Sequence, residues 1–342
     1  MNSLPDRSSF ESAKKERKPL LSIKNLRTHI FLDRGVVKAV DGVDLEVGEG
    51  ETLGIVGESG SGKTMTSLSI LRLLPKDTGR IVEGEIVLDG TDLTLLDDDE
   101  LARNWRGSKI AMVSQDPLTS LNPVFTVGDQ VGAPFRYHKL ARGRAMVRKA
   151  VVSVLNRVRI PSPAKRLRDY PHQFSGGMRQ RVVTAMAMAC SPRLLIADEP
   201  TSALDVTIQV QMMELFREIQ RETGVAIILI THDLGVAAGI CDRIAVMYGG
   251  RVVETGSVHD IFNRPAHPYT QGLLNSIPHL GRKRDRLEAI SGLPPSLLDP
   301  PAGCRFAARC KHRMPRCDEE YPPQFRLSEG HQAACWLQEA RA

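Results

Sequence analysis

The 342-residue sequence lacks any apolar run long enough to span a bilayer. Its longest, VAIILI at 225–230, stops at Thr231-His232-Asp233, far short of the roughly 18 to 20 residues a spanning helix needs. The first eighteen residues have no apolar core of the kind a signal peptide requires, so export is not expected. They are polar and aperiodic and read as a disordered tail. Sustained heptads are missing, which excludes a long coiled-coil insertion, and no internal repeat appears, so one catalytic unit per chain is expected. A large charge excess is missing too. Against 40 acidic residues stand 46 Lys and Arg, a net +6 that lies partly in KKERK at 14–18. So small an excess reads as solvated surface, and no nucleic-acid partner is expected. Hydrophobic content of 42% with 25% charged residues is ordinary for a soluble globular protein. The chain is therefore not expected to cross a membrane by itself.

What is present begins with GESGSGKT at 57–64, preceded by the β-prone TLGIVG and followed by TMTSLSILRLL, whose apolar residues fall at helical spacing. Strand, glycine-rich loop and helix form the setting of a phosphate-binding loop. There Gly57, Glu58, Ser59, Gly60, Ser61 and Gly62 bring backbone N–H groups to phosphate oxygens. Lys63 supplies a cation, and the Thr64 hydroxyl can ligate Mg²⁺. Downstream, LLIADEP at 194–200 carries Asp198 to the end of a core strand, where its carboxylate can hold the metal through water. Glu199 follows as the group that orients and polarises an attacking water. His232 ends the next strand, one strand further on, where it could reach a terminal phosphate. Gln115 ends the strand KIAMV (109–113), and its amide could contact Mg²⁺ or the water.

Around these motifs, LLSIKNL, VVKAV and VDLEV between residues 20 and 47 read as short antiparallel strands broken by Gly and Asp. The stretch 116–175 is rich in helix formers and reads as a helical subdomain inserted in the sheet domain. After it, alternating helices and strands imply a mostly parallel sheet flanked by helices. The fold class expected is α/β, with residues 19–262 as one ATPase domain. From about residue 263 prolines accumulate and periodicity fades, marking a separate extension over 263–342.

FSGGMRQR at 174–181 is the most telling run. A Ser-Gly-Gly element at a helix start is a second ready anion site, and one chain does not need two such sites for one nucleotide. Ser175, Gly176 and Gly177 are therefore expected to complete a site on a partner subunit. This order of motifs resembles the ATP-binding cassette (ABC) ATPases over residues 20–254. The resemblance implies a Q-loop at Gln115, a D-loop at Ser202-Ala203-Leu204-Asp205, a switch histidine at His232, and ATP and Mg²⁺ as ligands. Phe31 is the nearest upstream aromatic for stacking on adenine, with Arg34 and Val36 as alternatives and plain core packing as a further reading.

DPLTSLNP at 116–123, Met178 within the signature, RPAHPYTQGLL at 264–274 and GLPPSLLDPPAGCRFAARC at 292–310 narrow the resemblance to ATPase subunits of dipeptide, oligopeptide and nickel importers. That group implies two transmembrane permeases, an extracytoplasmic solute-binding protein, a second non-identical ATPase subunit, and a place on the cytoplasmic face of the inner membrane. Soluble ABC proteins acting on ribosomes or DNA are the competing class. Cys304, Cys310, Cys317 and Cys335 have the spacing C-x5-C-x6-C-x17-C, looser than the paired C-x2-C of structural zinc. Spacing alone leaves an iron–sulfur cluster, zinc and free thiols open, and the resemblance implies a [4Fe–4S] cluster. Cys190 and Cys241 stand apart and read as core residues.

Overall fold

The computed structural model describes residues 19–202, 204–276 and 290–341; the expected tail at 1–18 and Ala203 of the D-loop run lie outside them. The strands in chain order are β1 (Leu21–Leu32), β2 (Gly35–Val47), β3 (Thr52–Val56), β4 (Gly79–Leu88), β5 (Thr91–Asp92), β6 (Ile110–Val113), β7 (Leu194–Asp198), β8 (Ala226–Thr231), β9 (Arg243–Tyr248), β10 (Arg251–Ser257), β11 (Phe325–Ser328) and β12 (His331–Ala333). They form a small sheet of order β2-β1-β4-β5 and a large one of order β11-β12-β10-β9-β3-β8-β7-β6. In the large sheet β6, β7, β8, β3 and β9 run parallel. Strands β10, β12 and β11 continue it antiparallel.

Every residue of β3, β7 and β8 is buried, as expected of parallel strands covered on both faces. Alternation of side chains then splits each strand between two cores. Leu194 and Ile196 of β7 join Ile228 and Ile230 of β8 on the face covered by the small sheet and by Ile70 and Leu71 of the helix Lys63–Leu71. Leu195, Ala197, Ile227 and Leu229 face the opposite way, against the helices Val127–Tyr137, Arg144–Arg157, Gly176–Met188 and Val206–Thr223. Cys241 packs against this second core from its margin, consistent with a packing role.

VVKAV and VDLEV, which read as separate strands, belong to the single strand β2. Gly42, at φ 78°, lets the chain bend between them, and the β1–β2 register shifts there rather than ending. The extension after residue 263 joins the large sheet. Its β11–β12 hairpin extends the large sheet through β10. Buried Glu254 of β10 anchors it, accepting from the backbone N–H of Ala266 (2.8 Å) and His267 (2.9 Å) and pairing with His331 Nε2 (2.9 Å). Buried carboxylates persist only where such donors surround them. No helix among the described residues is long and apolar enough to cross a membrane.

Candidate functional site

Because the core strands run parallel, their C-terminal ends share one edge of the sheet, where open α/β sheets place ligands. Val56 of β3 leads into Gly57, Val113 of β6 into Ser114-Gln115, Asp198 closes β7, and Thr231 closes β8 ahead of His232. The registers Val56↔Thr231, Asp198↔Ile230 and Val113↔Ala197 bring these ends level. They open into a cavity of about 720 Å³ whose lining includes Ser59, Gly60, Gly62, Lys63, Thr64, Gln115, Glu199 and His232.

The loop at 57–64 must be glycine where it is. At Gly62 φ is 104°, and a Cβ would lie 2.5 Å from the Ala39 carbonyl oxygen; at Gly57 it would land on the carbonyl of Met247. Lys63 is buried, and its ammonium donates to the carbonyls of Gly57 (2.7 Å) and Glu58 (2.9 Å). Burial pulls its pKa below the ordinary lysine value, opposed by the carboxylates of Glu199, Asp198 and Glu58. Within the loop the N–H groups of Glu58 and Ser61 are bound inside the protein, to the Tyr269 hydroxyl (2.9 Å) and the Glu58 carbonyl (3.2 Å), while a cation held at a helix start beside the other loop N–H groups makes a setting for an anion.

Asp198 is buried, which pushes its carboxyl above the usual range. The Thr64 hydroxyl, 3.5 Å from Oδ1, opposes the shift, and the neighbouring Glu199 charge adds to it. The exposed Thr64 hydroxyl beside the buried Asp198 carboxylate is a donor set that suits Mg²⁺, an oxygen-seeking ion. Glu199 adopts a left-handed backbone (φ 45°), and its N–H is held by the Ile230 carbonyl at 2.9 Å. Such a conformation in a non-glycine residue costs on the order of 1 to 3 kcal/mol and persists where the surroundings enforce it. Its Oε2 lies 3.3 Å from Gln115 Nε2 and 3.3 Å from His232 Nδ1. Three side chains well separated in sequence thus meet at one carboxylate oxygen.

The remaining expected residues lie elsewhere. Ser175 caps the helix Gly176–Met188, its Oγ accepting from Met178 N–H at 3.4 Å. Ser175 and Gly176 are not part of the cavity lining, and neither is Gly177. Asp205 caps the helix Val206–Thr223 through Ile208 N–H (3.0 Å). Phe31 is 40% exposed, with the Arg80 guanidinium over its ring, and is not among the lining residues. Ile30, Val37 and Leu297 supply the apolar wall instead. Leu297 escaped sequence reasoning because it arrives from the C-terminal extension, where its carbonyl accepts from Lys38 N–H at 2.8 Å.

Comparison with known proteins decides what this cavity belongs to. The ABC transporter family matches residues 40–202, and the oligopeptide/dipeptide transporter C-terminal region matches residues 253–317. The dipeptide transport ATP-binding protein DppD of Bacillus subtilis is 53% identical over 323 residues, 94% of this chain and 96% of that one. The chain belongs to the ABC transporter ATP-binding proteins. It is an ABC-type transport ATPase of the branch that carries the oligopeptide/dipeptide C-terminal region. The oligopeptide transport ATP-binding protein OppD of Bacillus subtilis is 49% identical, covering 93% of this chain and 88% of its own. Among solved structures, the dimeric ATP-binding cassette MJ0796 in a post-hydrolysis state bound to ADP and Pi matches with a TM-score of 0.62 at 30% identity, over 70% of this chain and 98% of that one.

In this ATPase Cys304, Cys310, Cys317 and Cys335 line one pocket together with His267, Phe306 and Trp336. Burial pushes the Cys304 thiol up to about 11 and that of Cys335 up to about 12. Backbone N–H groups point at the sulfurs, that of His312 lying 3.3 Å from Cys310 Sγ. Yet no group of three or more His, Cys, Asp or Glu side chains among the described residues is disposed as a metal site. Cys304, Cys310 and Cys317 touch the apolar clusters of the extension, and Cys335 lines the same pocket.

Proposed function

We propose that this ATPase energises import of di- and oligopeptides across the cytoplasmic membrane. The observation that carries the reading is one cavity that gathers Lys63, Thr64, Gln115, Glu199 and His232, in a chain whose C-terminal region is shared with named dipeptide and oligopeptide transport ATP-binding proteins. Its partners would be two membrane permeases, an extracytoplasmic binding protein and a second cassette, with the chain bound peripherally on the cytoplasmic face. The units involved are residues 19–262 as the ATPase domain, with helical subdomain 116–175 facing the permeases, and 263–342 as the extension.

Within the site, loop N–H groups and Lys63 bind the phosphates, and Thr64, Asp198 and Gln115 would hold Mg²⁺. The metal, when bound, neutralises charge on the phosphate oxygens. Glu199 accepts the proton of the attacking water, Gln115 and His232 fix its carboxylate, and His232 contacts the terminal phosphate. Ser175, Gly176, Gly177 and Asp205 serve the partner's nucleotide. Their position outside the chain's own cavity supports this division. We further propose that the four late cysteines hold a [4Fe–4S] cluster, with no catalytic role assigned to it, supported by their shared pocket and the N–H donor aimed at sulfur. Anaerobically purified chain should be brown; colourless protein carrying stoichiometric zinc would overturn that assignment.

The import reading is tested by co-expressing the chain with the membrane proteins encoded beside it and measuring ATP hydrolysis in proteoliposomes with loaded binding protein. Peptides should stimulate hydrolysis. Stimulation by nickel alone, or co-purification with ribosomes in place of membrane proteins, would refute it.

A further inference from the structure

Glu58, second residue of the phosphate loop, is held from outside the ATPase domain. Its backbone N–H donates to the Tyr269 hydroxyl at 2.9 Å, and Tyr269 is fully buried. Its carboxylate receives two parallel bonds from Arg309, Nη1 to Oε2 at 2.7 Å and Nη2 to Oε1 at 3.1 Å. Such a paired guanidinium–carboxylate contact fixes orientation as well as distance. Arg309 is itself immobilised. Its Nε donates to the Ser291 carbonyl (3.1 Å), Nη2 to the Ile290 carbonyl (3.1 Å) and Nη1 to the Tyr248 hydroxyl (3.2 Å), with only 6% of its side chain exposed. The chain of contacts continues inward, because the carbonyl of the same Glu58 accepts from Lys63 Nζ at 2.9 Å.

We propose that Arg309 is a positioning residue of the ATP site: through Glu58 it holds loop 57–64 and Lys63 in phosphate-receiving shape before nucleotide arrives, making the C-terminal extension a working part of that site. Arg309 is not among the cavity-lining residues, so its effect falls on how well the loop is preorganised. A loop already in its bound shape avoids the ordering cost on binding. Lysine replaces the guanidinium only in part, since it keeps the charge and lacks the second parallel donor. The neighbouring Arg305 supports the same junction, bonding the Gly249 carbonyl and Asp41, and Asp41 also pairs with Arg27 and Arg251. The inference rests on the loop being the ATP site and is independent of the cargo.

The test uses the full chain with Mg-ATP and compares Arg309→Ala, Arg309→Lys, Glu58→Gln and the double variant Arg309→Ala/Glu58→Gln. Arg309→Ala should raise KM for ATP about tenfold, equivalent to about 1.4 kcal/mol, with kcat falling by less than KM rises. Glu58→Gln should do the same, Arg309→Lys should recover part of the loss, and the double variant should be no worse than the poorer single one. A purely fold-stabilising role would instead lower melting temperature without splitting KM from kcat. KM within about twofold of wild type in both single variants, or losses that multiply in the double variant, would overturn the proposal. If Arg309→Ala does not fold, Glu58→Gln decides between these outcomes, because its side chain is part-exposed and its shape is kept. Lys63→Ala serves as the control: normal nucleotide binding there would refute the ATP site itself, a result distinct from failure of the Arg309 link.

Discussion

Replacing Glu199 by Gln separates nucleotide binding from hydrolysis in one step. The amide oxygen of Gln occupies the place of Oε2, so the contacts at 3.3 Å from Gln115 and 3.3 Å from His232 survive in outline. The phosphate loop and Lys63 are untouched, and ATP affinity should stay within about twofold. What disappears is basicity at the one oxygen where the three side chains converge. Loss of a positioned general base costs roughly 10² to 10⁴ in rate, or about 3 to 5 kcal/mol of barrier. In the proposed shared site, ATP that is bound and not consumed would keep its contacts to Ser175 and the helix start at 176–177 of the second cassette. Two charge-assisted contacts per nucleotide amount to about 3 to 6 kcal/mol. The variant should therefore accumulate as a dimer in Mg-ATP by size-exclusion chromatography, while phosphate release falls by the factor above. Turnover at the wild-type rate, or a monomer in saturating Mg-ATP, would refute both the base assignment and the shared-site geometry.

Ser175→Arg should still bind a fluorescent ATP analogue at its own phosphate loop, because Ser175 lies outside the cavity, yet form no nucleotide-bridged dimer; undiminished dimerisation on size-exclusion chromatography would contradict the shared site. Asp41→Asn tests the junction that ties the extension to the small sheet. Burial alone would raise the Asp41 carboxyl, but Arg251, Arg305 and Arg27 hold it below the usual 3.8. A carboxyl depressed by folding stabilises the native state above its unfolded pKa and loses that contribution as pH falls through the folded one. The gap in melting temperature between wild type and Asp41→Asn should be full at neutral pH and close progressively below pH 3.8; a gap independent of pH would show that the three arginines do not act through the ionised carboxylate.

Much of the site is local in origin and so legible in one dimension. GESGSGKT, LLIADEP and FSGGMRQR each work through contiguous backbone: glycines where a Cβ has no room, an apolar strand that ends on Asp198, a serine that caps its own helix. The parallel sheet follows from the same runs, since strands apolar on both faces can exist only between two layers, and the shared edge at which Gln115, Asp198 and His232 appear is then fixed by strand direction. Tertiary structure alone decided what the polypeptide brings together from far away. Nothing near Phe31 in the chain indicates that Ile30, Val37 and Leu297 wall the cavity in its place. Nothing in CRFAARC indicates that its second arginine reaches 251 residues back to Glu58. Residue types and spacing encode what a segment does by itself; a long side chain crossing between layers depends on how those layers dock, and docking is set by the sum of buried contacts over the whole fold.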